Sequence, residues 1–208
     1  MPNPPIAIIH LDESCLGNGR EGDNPGGAGG LIEVRTRSAV QRRDFSIHSP
    51  ATTNNQMALA GAATVLELLS AKGRRLAVLM VSDSQYLIRG IREWVPSWAR
   101  RNWTRKGGPI ENLELWQRLV GAAARHDVQW TWVRGHAGHP KNEYANDLAV
   151  EAATSQSSPP GTVESGFSEW LARHRAKKKK LYVDYDPDAT FQQLESRVMT
   201  GDRFAVID

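Results

Sequence analysis

Three acidic side chains stand where apolar runs stop. Asp12 and Glu13 follow "PIAIIHL" side by side, and Asp83 follows "RLAVLMVS". Runs of this kind, apolar and partly β-branched, read as buried strands, and in open α/β sheets chemistry gathers at strand ends. Carboxylates converging from separate strand tips suit a divalent cation. Mg²⁺ takes one or two of them and fills the rest of its shell with water and phosphate oxygens. The competing reading makes each Asp an ordinary cap or turn residue and Glu13 a solvated turn residue. A histidine, His136, lies in the Gly/Pro-rich stretch "GHAGHP", where an imidazole titrating near neutral pH suits proton transfer. His139 of the same stretch reads as a loop-structuring residue.

The elements that must position these groups follow from periodicity. Residues 5–12 read as a strand and residues 17–30, rich in Gly with Asn and Pro, as a long turn. "GLIEVRTR" and "AVQRRDFSIH" read as two more strands, antiparallel if a short turn joins them. From Thr53 the spacing of Met57, Leu59, Ala60, Ala63, Leu66 and Leu68 predicts a helix with Asn54 or Thr53 as N-cap, ended by Gly73. "RLAVLMVSD" is a buried strand, and "SQYLIRGIREW" a helix capped by Ser84. Pro96 restarts a helix through Arg101, residues 112–125 form another, "VQWTWV" is a strand, and Pro140 opens a helix to about Ala153. Three strands, helix, strand, helices, strand, helix describe a mixed α/β layer with some parallel pairing through crossovers.

The 208 residues allow one domain and an appendage, with enough chain to bury a core without disulfides. Cys15 is the single cysteine, so no internal disulfide forms, which fits a reducing compartment. "MPNPPIAIIHLDES" lacks the basic start of a signal peptide, and no run has transmembrane length. The expectation is a cytoplasmic chain with no membrane association. The net charge is only +3, but it is uneven. Arg89, Arg92, Arg100, Arg101, Arg105 and Lys106 face a single acid, Glu93, within residues 89–106. Such a patch suggests an anionic partner, although most basic clusters are solvated faces.

"LDESCLGN", "TTNNQM", "VSDSQY", "LWQRL" and "WVRGHAGHPKNEYANDLA" occur in this order. Together they resemble the type 1 ribonucleases H, which cut the RNA strand of RNA/DNA hybrids, over roughly residues 6–153. The resemblance implies a ribonuclease H-like fold, a five-stranded mixed sheet flanked by helices. It also implies a monomer that acts by two-metal-ion catalysis and leaves 5′-phosphate and 3′-hydroxyl ends. That family holds two Mg²⁺ ions, about 4 Å apart, with four carboxylates. Asp12 and Asp83 match the first and third. The second, a Glu after the Met of "NNQM", is Ala58 here, and the fourth, an Asp four residues after the Asn of "NE", is Asn146. The family has glycine beside its first aspartate; this chain has Glu13. The type 2 ribonucleases H begin their site with adjacent Asp-Glu, so the resemblance implies an Asp12, Glu13, Asp83, Asn146 site in which Glu13 replaces the missing carboxylate. Adjacent strand residues face opposite sides of a sheet, so this expectation requires the strand to end or bulge at Glu13. Asn146 brings an oxygen ligand but no charge, which implies a higher metal requirement or a preference for Mn²⁺. Asp147, about 100° away around a helix, is a poorer substitute. In the family His136 assists proton transfer or product release.

For the hybrid, the resemblance assigns residues 89–106 to a basic protrusion, with Arg100, Arg101 and Arg105 toward DNA phosphates. Trp94, Trp98 and Trp103 of the protrusion read equally as core props, since Trp at helical spacing is more often packing; Trp94 and Trp116 match family positions lining the DNA groove. Thr53 and Asn112 match a phosphate pocket in which a usual arginine is Ala51. Asn18, Asn55 and Gln85 match contacts to the RNA minor groove, with Ser14 and Cys15 on the same rim. The domain reading is 1–154 for the ribonuclease H domain, 155–166 for a linker and 167–208 for a C-terminal appendage. The basic run Lys177–Lys180 either adds affinity for hybrid or is neutralised by the neighbouring "VDYDPD"; the appendage is otherwise a packing or self-association element. "FSEWLARHRAKKKK" reads as helix, "LYVDYD" as strand and "ATFQQLESRVM" as a short helix. The alternative to an enzyme is a catalytically inactive protein that grips hybrids without cutting.

Overall fold

The computed structural model describes residues 5–17, 24–36, 39–71, 73–135, 137–177, 180–200 and 206–207. Among these, seven strands form one sheet in the order β6-β3-β2-β1-β4-β5-β7. The long strands are β1 (Ile6–Cys15), β2 (Gly26–Arg35), β3 (Val40–Ser49), β4 (Ala77–Ser82) and β5 (Asp127–Val133); β6 (Val163–Glu164) and β7 (Val206–Ile207) are two-residue edge pieces. β1, β2 and β3 form an antiparallel meander, while β4 runs parallel to β1 and β5 parallel to β4. The helices are α1 (Asn54–Ser70), α2 (Gln85–Arg89), α3 (Val95–Arg100), α4 (Leu113–Ala123), α5 (Pro140–Ser155), α6 (Phe167–Ala176), α7 (Lys180–Val183) and α8 (Pro187–Thr200), with a π-helical turn, Gly90–Trp94, joining α2 to α3. The mixed α/β architecture expected of a ribonuclease H-like fold is present, its five long strands bracketed by the two short ones. No described helix is long and apolar enough to cross a membrane.

Strand periodicity sorts the core into two sides. Ala7, Ile9 and Leu11 of β1 join Ala58, Leu59, Ala62 and Leu66 of α1 and Trp116 and Leu119 of α4. Ile8 of β1, Leu79 and Val81 of β4 and Val133 of β5 instead meet Phe191, Leu194 and Val198 of α8. Leu31 of β2 meets Tyr144 of α5, Phe167, Trp170 and Leu171 of α6, and Tyr182. The segment beyond residue 166 therefore covers the second sheet face beside α5.

Three expectations are corrected, and the segment read as a linker is located. The glycine run is strand, not turn: Gly26–Gly30 open β2. A Cβ on Gly27 would lie 2.4 Å from the Ala149 carbonyl oxygen, and one on Gly29 2.5 Å from the Ala149 amide nitrogen. These positions let α5 lie directly on the sheet. β1 does not end or bulge at Glu13; its pairing runs unbroken through Asp12–Gly29, Glu13–Ala28 and Cys15–Gly26. Residues 155–166 are strapped down, with β6 paired to β3 and the Gly166 amide donating to Asp44 Oδ2 at 3.0 Å. "LYVDYD" opens with the last three residues of helix α7 rather than a strand.

Candidate active site

Two adjacent residues on an unbroken strand point to opposite faces, yet Asp12, Glu13 and Asp83 each place a ligand oxygen within 4.8 Å of the others. The register explains this. β1 and β4 pair in parallel only as far as Leu11–Ser82. One residue further, Asp12 and Asp83 stand level, and β1 continues to Cys15 with no strand paired on that side among the described residues. Asp12 reaches round the open edge from one face and Glu13 from the other. Glu13 shares the parity of Ile9 and Leu11, so it comes from the α1 face. Ala58 of α1 is buried on that same face, at the position where the family resemblance requires a carboxylate.

The site is polarised by burial. Asp12 is 6% exposed. Burial and the neighbouring Asp83 push its carboxyl up to about 8, against the bonds from the Glu13 amide and Asn142. Burial and both aspartates raise Glu13 likewise to about 8, with a hydrogen bond from Ser84 acting the other way. The Glu13 amide donates to Asp12 Oδ1 at 2.7 Å, and Asn142 Nδ2 donates to Asp12 Oδ2 at 3.0 Å. Glu13 Oε2 is buried without a hydrogen-bond partner among the described residues. Crowded, desolvated carboxylates with an unpartnered buried oxygen fit a divalent cation, which would offset the burial and the mutual repulsion that raise Asp12 and Glu13.

The supporting residues come from three elements. Trp132 Nε1 of β5 donates to the Asp83 carbonyl at 3.1 Å. Ser84 caps α2, its hydroxyl accepting from the Leu87 amide at 3.5 Å. Gly135, just after β5, approaches so closely that a Cβ there would lie 2.2 Å from Asp83 Oδ2. Asn146 lies one turn beyond Asn142 on α5, on the same helical face, and is half-buried. Asp147 is turned away and accepts from Trp170 Nε1 at 2.7 Å. His136 and Asn18 lie outside the described residues. Sequence reasoning missed Asn142, Ser84 and Gly135 as site residues. Asn142 stands in "HPKNE", where its spacing one turn before Asn146 was the available signal.

The rim carries the other assigned residues. Ser14 and Cys15 end β1, and Cys15 Sγ donates to the Thr52 carbonyl at 3.3 Å, tying the strand to the start of α1. There Thr53 is the N-cap, closing a capping box with Gln56, and Asn55 is in the first turn. Gln85 opens α2 and is exposed. Arg100, Arg101 and Arg105 are exposed on the α3 end and the following loop. Tyr86, Trp94, Trp98, Arg105 and Glu111 line an open cavity of about 270 Å³. Trp116 is corrected from a groove-lining residue to a buried one. It is 0% exposed, packs edge-on to Trp94 and Trp98 and donates to the Tyr86 hydroxyl at 3.2 Å. Asn112 adopts a left-handed backbone (φ 55°) and donates to the same hydroxyl at 3.2 Å.

A mixed sheet whose strand ends gather three carboxylates, one of them buried, presents a site able to hold a divalent cation. Comparison with known proteins specifies it further. A sequence profile of the RNase H family matches residues 4–154. Ribonuclease H of Escherichia coli O9:H4 (strain HS) is 42% identical over 146 residues, covering 70% of this chain and 87% of its own. The crystal structure of LC9-RNase H1, a type 1 RNase H with the type 2 active-site motif, superposes with a TM-score of 0.76 at 50% identity, covering 83% of this chain and 82% of the other. LC11-RNase H1, crystallised with an RNA/DNA hybrid, shares the fold at a TM-score of 0.51 and 18% identity, covering 72% of this chain and 98% of the other. The chain belongs to the ribonuclease H family and is an endoribonuclease.

Proposed function

We propose that this protein hydrolyses the RNA strand of RNA/DNA hybrids at a site formed by Asp12, Glu13, Asp83 and Asn146. The observation that carries the reading is the meeting of Glu13 with Asp12 and Asp83, from the same face on which Ala58 leaves no carboxylate. Bound divalent ions, two Mg²⁺ in this reading with Mn²⁺ able to substitute, supply charge neutralisation at the scissile phosphate and acidify a water. Water oxygen bonds to phosphorus, the bond to the 3′ oxygen breaks, and that oxygen takes a proton. The products are a 3′-hydroxyl and a 5′-phosphate.

The chain's own groups divide the work. Asp12, Glu13 and Asp83 would hold the ion through their carboxylate oxygens. Asn142 fixes the orientation of Asp12, and Ser84 that of Glu13. Gly135 lets the backbone after β5 lie against the Asp83 carboxylate, and His136, next in the chain, is the proton carrier of this reading. Arg100, Arg101 and Arg105 take DNA-strand phosphates, and Trp94 offers a flat face to deoxyribose. Asn55, Gln85 and Ser14 sit where 2′-hydroxyls of the RNA strand are read. Asn146 would ligate through a neutral oxygen, so metal would be held less tightly than by four carboxylates.

The test is cleavage of a labelled hybrid in Mg²⁺ and in Mn²⁺ by the native chain, Glu13→Ala, and the double substitution Glu13→Gly with Ala58→Glu. The expected result is cutting by the native chain, none by Glu13→Ala, and partial recovery in the double variant. A native chain that binds hybrid and cuts in neither metal is a binding protein, and the proposal fails. If Glu13→Ala cuts as well as the native chain, the relocated carboxylate is wrong.

A further inference from the structure

The polar residues of α5 beside Asn142 and Asn146 are held by the segment that follows the family-matched region. Lys141 Nζ donates to the Pro187 carbonyl at 2.9 Å and pairs with Glu33 Oε2 at 2.7 Å. Glu143 accepts from the Tyr182 hydroxyl. The Tyr144 ring lies 5.2 Å from Phe167 and 5.5 Å from Trp170. Asp147 accepts from Trp170 Nε1. Lys141 and Glu143 flank Asn142, and Asp147 follows Asn146. Each of these three is thus bonded to residues 170–187, while Asn142 between the first two donates to Asp12.

We propose that the C-terminal segment is a positioning element for the metal site, and that Trp170, acting through Asp147, fixes the rotation of α5 that presents Asn146. This deepens the functional reading above and rests on it. The physical reason lies in the charge that Asn146 lacks. An aspartate is drawn to a divalent cation by Coulomb attraction and tolerates a loosely held helix. A carboxamide has only its dipole, so its oxygen must already be in place. The bonds from Trp170 and Tyr182 supply that preorganisation from outside the family-matched region. Trp170 stacks on Phe167 at 5.9 Å, so a phenylalanine there keeps an aromatic ring in the cluster and removes the indole donor; the smaller ring costs packing, which the thermal unfolding reads separately from Mn²⁺ affinity.

The experiment is a double-mutant cycle read by Mn²⁺ calorimetry on the full chain, with thermal unfolding measured alongside. The variants are Trp170→Phe, Asn146→Asp and their combination, and Tyr182→Phe repeats the cycle through Glu143. The expected result is that Trp170→Phe weakens Mn²⁺ binding on the order of tenfold in the native background and less than about twofold with Asn146→Asp. Asn146→Asp alone tightens binding. Equal weakening in both backgrounds, or loss of thermal stability with unchanged Mn²⁺ affinity, overturns the positioning role and leaves a packing segment. If Asn146→Asp alone leaves Mn²⁺ affinity unchanged, Asn146 is not a ligand, and the functional reading fails rather than the cycle.

Discussion

The side-chain amide of Asn142 donates to Asp12 Oδ2 at 3.0 Å, joining the first turn of α5 to the carboxylate at the end of the β1–β4 pairing. Both residues are buried, and Asp12 has its other oxygen on the Glu13 amide. Asn142→Ala removes the donor and leaves Asp12 Oδ2 without it in a desolvated site. The expected loss is about 1–3 kcal/mol of stability in urea unfolding, together with weaker divalent-ion binding by calorimetry.

Glu13 and Ala58 share a sheet face, which separates two outcomes. Glu13→Gln removes a group whose charged form the cluster disfavours, so above the unfolded carboxylate range the metal-free protein gains stability, while hybrid cleavage drops on the order of a hundredfold. Ala58→Glu alone adds a carboxylate at a fully buried position, and the metal-free protein loses stability. Thermal melts in chelator and cleavage assays on the same samples check both signs.

Asp12 and Glu13 are held up to about 8 in the folded chain, against values near 4 for unfolded carboxylates. A raised folded pKa contributes stability that is fully present below the unfolded value and is lost as pH rises through the folded one. In chelator, stability should therefore fall between about pH 4 and pH 8 through these two groups and level off above. Divalent metal competes with the same protons, so its affinity should climb with pH over the upper part of this window. Urea melts with and without Mn²⁺ from pH 5 to 9 test the slope, and Glu13→Gln should shallow it.

A methyl group at Gly135 would stand 2.2 Å from Asp83 Oδ2, so Gly135→Ala must displace the carboxylate or the loop. The expected outcome is a drop in cleavage of about tenfold or more, by analogy with disturbed metal-ligand support. The melting temperature should change little, because Gly135 lies outside the core clusters. Unchanged cleavage would mean that the loop yields freely and Asp83 stays in place.

Arg100, Arg101 and Arg105 are exposed and distant in sequence from the carboxylates. Replacing all three with Ala should raise KM for hybrid and leave kcat near its native value. The slope of log affinity against log salt should shrink by up to about three, one for each phosphate no longer neutralised. A fall in kcat at saturating hybrid would place one of these side chains nearer the chemistry.

Much of this protein was legible in its residues. The alternating and helical periods predicted the order of the long strands and helices, because those periods are local properties of the backbone. Asp12 and Asp83 drew notice because each ends an apolar run, and Ala58 and Asn146 stood out only against the ribonuclease H pattern that the sequence resembles. What the sequence could not determine was set by neighbours distant in the chain. Gly26–Gly30 read as a turn because glycine is a local breaker, but the strand is chosen by the close approach of α5. Trp116 read as a groove residue, and only the packing of Trp94, Trp98 and Tyr86 over it shows it to be buried. Glu13 illustrates the division best. Its identity was in the sequence, and its parity alone pointed it away from Asp12. The tertiary structure decided that the two carboxylates meet, because β4 stops pairing at Ser82 while β1 runs on to Cys15, and side chains from both faces turn into the same open edge.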